Sequence, residues 1–140
     1  MIKIKILSIG KTKESWLDTA MGEYFKRLKG QVEFECQWAK SDEQLIQLVE
    51  KESSVICLDP AGKEMDSPEF STFFEKKVEE GGARLTFVIG GAEGLPRSLK
   101  DKFSLLSLSR LTFTHQLIRL VLVEQIYRAF TLMKGIPYHK

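Results

Sequence analysis

Soft metal ligands are nearly absent from this sequence. Its 140 residues hold two cysteines, Cys36 and Cys57, and two histidines, His115 and His139. Zinc and iron sites draw on clusters of such groups, so no metal is expected. Each cysteine sits in a strand-like apolar run, which reads as a buried free thiol in a reducing compartment rather than half of a disulfide. No apolar stretch reaches the roughly 20 residues needed to cross a bilayer. The most apolar helical segment, 117–130, is interrupted by Arg119, Glu124, Gln125 and Arg128. The first residues alternate lysine with isoleucine and have no signal-peptide core. A cytoplasmic protein that does not enter membranes is expected. Internal repeats, linkers and low-complexity segments are missing too, and residues 1–140 read as a single domain.

Charge of one sign is not in large excess either, the formal net being +2. Its distribution is uneven. From Leu95 onward eight Lys and Arg stand against two acids, a net of +6, which leaves the first 94 residues at −4. A basic C-terminal third on an acidic body suits a protein that sets a polyanion against one face, and suits equally a solvated helix face. No RNP or KH pattern of a dedicated RNA-binding domain is present.

What the sequence does have is a regular alternation of strands and helices. Isoleucines at 2, 4 and 6 predict a strand over 2–9. Residues 14–28 carry Trp16, Leu17, Ala20, Met21, Tyr24, Phe25 and Leu28 at helical spacing, and Gly30 ends the segment. A second strand covers 32–38. Ser41 caps a short helix, with Gln44 as its capping-box partner. The apolar run 54–58 predicts a buried parallel strand, followed by a turn at 59–62. Ser67 as cap and Pro68 at the first position start a helix that Gly81 and Gly82 stop. Then come a strand at 85–89, a short helix at 96–102 and a strand at 105–108. Thr114 caps a last helix that reaches about Lys134. The spacing predicts an α/β fold with a largely parallel sheet and helices on both faces.

The most informative local feature is Phe87-Val88-Ile89-Gly90-Gly91-Ala92-Glu93-Gly94-Leu95, an apolar strand opening into three glycines and a carboxylate. A second strand-to-loop edge, 105–113, repeats the layout. Glycine allows close backbone approach to a ligand. The dinucleotide fingerprint fails, because Ala92 stands where its second glycine is needed. The P-loop fails as well, because Leu95 and Pro96 follow the last glycine in place of lysine and a hydroxyl residue. The glycines are compatible with a plain turn, and Glu93 is compatible with a carboxylate at a helix start or one that balances a cationic ligand.

Seven ordered segments carry a resemblance that spans the chain. They are Leu58-Asp59-x-x-Gly62; Phe70 after Ser67; Ile89-Gly90-Gly91-x-Glu93-Gly94-Leu95; Ser107-Leu108-Ser109-x-Leu111-Thr112; His115-x-Leu117-x-Arg119; Glu124-Gln125-x-Tyr127-Arg128-Ala129; and the ending Pro137-Tyr138-His139. In these the chain resembles the RlmH-type ribosomal RNA methyltransferases of the SPOUT class. The resemblance implies a SPOUT fold with a C-terminal trefoil knot, a homodimer with the last helix in its seam, and S-adenosylmethionine (SAM) as methyl donor. It implies methylation of N3 of a pseudouridine in 23S rRNA within the ribosome. Carried over by position, Leu58, Gly90, Leu108, Ser109, Arg110, Leu111, Thr112 and Phe113 hold the cofactor. Tyr138 and His139 belong to a tail that folds over an active site, that of the partner subunit. The match departs at Ala92 and Gln116, where relatives often have proline, and at Lys140, where arginine is usual.

The chemistry asks for a positioned donor and a deprotonated acceptor. N3 of pseudouridine is an imide and must lose a proton, which makes histidine the natural base near neutral pH. His115, Tyr138 and His139 are the catalytic candidates. His115 also suits a local hydrogen bond that orients the third loop. Arg119, near that loop, is the candidate for holding RNA, and Arg128 is spaced to pair with Glu124. Apolar residues nearly all round the last helix fit a dimer seam or a central core helix. Two other readings fit the same fold: a non-catalytic ribosome-associated factor, and an α/β enzyme that binds ATP or NAD.

Overall fold

The structure is a computed structural model and describes residues 1–10 and 14–140. Strands and helices alternate along the chain: β1 (Ile2–Ile9), α1 (Ser15–Arg27), β2 (Val32–Ala39), α2 (Asp42–Glu50), β3 (Val55–Glu64), α3 (Ser67–Glu80), β4 (Arg84–Ile89), α4 (Arg97–Lys102), β5 (Ser104–Ser107) and α5 (His115–Lys134). The strands form one sheet in the order β2-β1-β4-β3-β5, and every pairing is parallel. A helix between successive strands allows that arrangement, because a parallel neighbour is reached only by a crossover.

The two-residue period of each strand sorts its side chains between two cores. Ile4, Ile6, Ile56, Leu58, Phe87 and Ile89 face α1, α3 and α5, where Leu17, Met21, Phe70, Phe74, Leu122 and Ile126 are buried with them. Leu7, Cys57 and Val88 face the other way, onto Leu45 and Val49 of α2 and Leu99 of α4. The expected α/β architecture with helices on both faces is therefore present. Among the described residues no helix is long and apolar enough to cross a membrane.

Local expectations differ in four places. Asp66, not Ser67, caps α3: its carboxylate accepts from the Glu69 N–H at 2.8 Å, and Glu69 accepts from the Asp66 N–H at 3.0 Å. Ser67 is freed to donate to Gln125 of α5 at 2.8 Å. Ser41 does cap α2, accepting from the Gln44 N–H, but the Gln44 amide oxygen reaches the N–H of Lys40 rather than closing the box on Ser41. Residues 59–62 turn within β3 rather than ending it. The pairing with β5 shifts from Leu58↔Leu106 to Lys63↔Leu106, so the extra residues form a bulge. Trp16 lies outside the core, 48% exposed, with its indole N–H on Glu14.

Candidate active site

In an open parallel sheet the crevice for ligands lies beyond the carboxyl ends of the strands. Here the pairing of β3 with β4 stops at Leu58↔Ile89, where β4 ends and β3 bulges, and the loop after β5 lies against the same place. Together with the start of α5 they enclose a cavity of about 560 Å³. Leu58, Gly90, Leu108, Ser109, Leu111, Thr112, Phe113 and His115 all line it. The three sequence segments singled out for a cofactor thus meet in space. Arg110 does not line the cavity. Its side chain is largely exposed and lies 3.6 Å from Glu64, so within this loop it faces away from the cavity.

The glycine loop is tight because backbone packs on backbone. A Cβ on Gly90 would fall 2.5 Å from the carbonyl carbon of Gly94, closer than any side chain tolerates. The Gly94 N–H closes the turn on the Gly91 carbonyl at 3.0 Å. The third loop is held by short-range hydroxyl bonds. Ser107 donates to the Ser109 carbonyl at 2.9 Å, and the Ser109 hydroxyl accepts from the Leu111 N–H at 3.0 Å. Thr114 then caps α5 by accepting from the Leu117 N–H at 3.3 Å. Leu111 remains 71% exposed at the rim. Glu93 is exposed and forms no part of the wall.

Asp59 and Lys100 are among the wall residues given no role from sequence. Asp59 is buried, with one carboxylate oxygen accepting from the Ala61 N–H at 2.8 Å and the other 3.2 Å from the Lys100 ammonium. Lys100 also borders the cavity. The Asp59-x-x-Gly62 spacing was visible, but nothing in the letters says that a lysine on a later helix folds back to that carboxylate.

His115 occupies the first position of α5, half-buried on the cavity wall. Burial depresses its pKa below the ordinary histidine value, the Arg119 charge adds to that, and Glu14 opposes both. The ring is therefore neutral near pH 7 and offers a lone pair.

Arg119 lies elsewhere than expected. It is fully buried, where a residue that holds RNA must be at the surface. Its Nε donates to the Ser8 hydroxyl at 3.0 Å, and its Nη2 donates to the carbonyls of Ile9 at 2.8 Å and Gly10 at 3.3 Å. Its guanidinium also stacks on Trp38, 4.0 Å from the ring centroid. The sequence hides this because the acceptors lie at the end of β1, more than 100 residues earlier in the chain.

Tyr138 and His139 fold back on α5 of their own chain. The Tyr138 hydroxyl donates to Glu124 at 2.8 Å, and its ring meets Tyr127 edge-on at 4.7 Å. Arg128 bonds Glu124 at 2.8 Å, as the spacing predicted, and lies 3.1 Å from Nδ1 of His139. Burial first, and then the bond to Glu124, raise the Tyr138 pKa and keep it a neutral phenol. Within one chain neither residue lines the first cavity. His139 instead borders a second cavity of about 540 Å³, on the other side of Leu108, with Asp66, Phe70 and Gln125.

Residues 2–139 match the family described as Predicted SPOUT methyltransferase. The chain is 58% identical over 140 residues, all of both chains, to a protein of Protochlamydia amoebophila (strain UWE25) named Ribosomal RNA large subunit methyltransferase H. Proteins of the same name from Geotalea daltonii and Halothermothrix orenii are 38% and 39% identical, with 99% of this chain and 99–100% of each relative covered.

Proposed function

The chain belongs to the SPOUT methyltransferase family, and on that footing we propose that it is a SAM-dependent enzyme that methylates N3 of a pseudouridine in 23S rRNA on the assembled ribosome. The observation that carries this reading is the meeting of Leu58, the glycine loop after β4 and the loop after β5 around one cavity. The donor set fits an adenosyl group: Leu58, Ile89, Leu95, Leu108 and Ile118 supply apolar wall, and the glycine turn brings backbone close. Among the described residues Lys100 is the one lysine or arginine on the wall, and it is already paired with Asp59, a lining that suits a polyphosphate poorly. ATP and NAD are accordingly the weaker candidates.

SAM, when bound, supplies an electrophilic methyl group. The protein's work is to hold donor and acceptor in line and to take the acceptor's proton. In this reading Leu58, Gly90 and residues 108–113, apart from the outward-facing Arg110, hold the cofactor. The neutral His115 accepts the N3 proton or orients the loop beside it. Arg119 has no surface to offer RNA and is not assigned that part. Tyr138 and His139 act across the seam of a homodimer, at the partner's cavity. Supporting that arrangement, Leu117 in the first turn of α5 and Ile136 just beyond its end are exposed apolar residues. The knotted threading of the C-terminal segment and a cytoplasmic location belong to the same reading.

Isothermal titration with SAM, followed by methylation of ribosomes from a strain lacking the gene, tests it. Saturable binding is expected, with mass mapping placing one methyl group on a pseudouridine of 23S rRNA. Absence of binding heat would return the protein to a non-catalytic role, and ATP or NAD binding in its place would reassign the pocket.

A further inference from the structure

Among the described residues Arg119 is the largest side chain that is fully buried. Burying a guanidinium is costly unless its donors are used, and among the described residues this one reaches three acceptors at the carboxyl end of β1. Its contacts include the Ser8 hydroxyl and the Ile9 and Gly10 carbonyls, and Trp38 at the end of β2 covers its face. A fork that meets several acceptors at once is a task for arginine and not for lysine.

The segment it grips lies between two parts of the candidate site. A Cβ on Gly10, which has a φ of +95°, would stand 2.8 Å from Nε2 of His115, so the ring rests directly on the Gly10 backbone. A Cβ on Gly91 would stand 2.9 Å from Cγ2 of Ile9, so the glycine loop rests directly on Ile9. Residues 9–10 are thus a wedge with His115 on one side and the glycine loop on the other. Arg119 and His115 are also one helical turn apart on α5.

We propose that Arg119 is a positioning residue for methyl transfer: it pins residues 9–10 as a wedge that sets the His115 ring and the Gly91 turn across the cavity from one another. This rests on the function proposed above. Ser8 is a second member of the device, since its hydroxyl receives the guanidinium Nε and donates to the Ile9 carbonyl at 3.1 Å. Ser8 does not line the cavity, so an effect of its loss on turnover must travel through the wedge.

The test uses Ser8→Ala, Arg119→Lys, His115→Asn and the pairs that combine His115→Asn with each of the others. Three quantities are measured: SAM affinity by titration, kcat on unmodified ribosomes, and the His115 ring signals of the ligand-free protein by NMR. With two histidines in the chain, a His139→Asn spectrum assigns them. Losing one well-made hydrogen bond in Ser8→Ala should lower kcat about threefold. Arg119→Lys should lower it at least about tenfold through misplacement of a reacting group. Both should move the His115 ring signals, weaken SAM binding less than they lower kcat, and have little further effect on kcat in the His115→Asn background, as coupled residues do. Unmoved ring signals in Ser8→Ala, or undiminished losses in that background, would overturn the proposal while methylation by the wild type stands. A wild-type protein that methylates nothing would overturn the function and this inference together. Ser8→Ala carries the test should Arg119→Lys fail to fold.

Discussion

Gly90 shows how little room a single position leaves. Its missing side chain spares a collision with the backbone of Gly94 and Leu95, not with a ligand directly. Gly90→Ala should therefore spring the turn open and weaken SAM binding at least about tenfold, or about 1.4 kcal/mol. Titration calorimetry reads the loss, and circular dichroism shows whether the sheet persists. His115 gives a second prediction at this scale. Its proton affinity is depressed in the folded chain, so the unfolded chain binds the proton more readily below the ordinary value of about 6.5. Stability is unaffected above that value and declines as pH falls through it. His115→Asn should flatten that part of the curve, which urea melts about one unit above and below the value would show. Gly90 and His115 were both legible in the sequence, because a glycine after a strand and a histidine at a helix start stand out by type. The burial of Arg119 and the Asp59–Lys100 pair were not, because each depends on segments that only the fold brings together.

Elements were easier to read than their edges. The period of two in β1 and the helical spacing in α1 follow from which side chains a packed layer needs, and the letters record that directly. Edges depend on single hydrogen bonds. Asp66 outcompeted Ser67 as the cap of α3 because its carboxylate and Glu69 satisfy each other's backbone donors. Asp66→Ala should cost about 1 kcal/mol of stability, as loss of a cap generally does. Ser67→Ala should cost less at the helix start and act instead through its bond to Gln125. Thermal melts of the two variants separate the roles. The bulge at 59–62 was hidden for a related reason: Asp-Pro-Ala-Gly is sound turn chemistry, and only the second pairing of Lys63 and Glu64 with β5 reveals that the strand resumes.

At the scale of the whole molecule, the parallel sheet and its two helix layers were legible from the alternation of elements alone. The position of the C-terminal tail was not. Residues 138–139 lie on their own helix, next to a cavity that adjoins the proposed cofactor pocket across Leu108. If the tail serves a partner's site, His139→Ala should leave SAM affinity unchanged and cut methylation at least about tenfold, in the range for loss of a proton-transfer group. Mixing that variant with a cofactor-binding variant should restore part of the activity in heterodimers. Sedimentation of the wild type on dilution should show a persistent dimer, and an active monomer would count against a shared site.

The cavity walls also have an order of manufacture. Residues 58–61 are made early, the glycine turn later, and the 108–118 wall last of the three. Chains fold from the N-terminus as they are synthesised, so the sheet can be nearly complete while the pocket still stands open on one side. A nascent chain stalled before residue 105 would possess most of the scaffold and two of the three loop walls, and the pocket would close only once the final segment had swung into place.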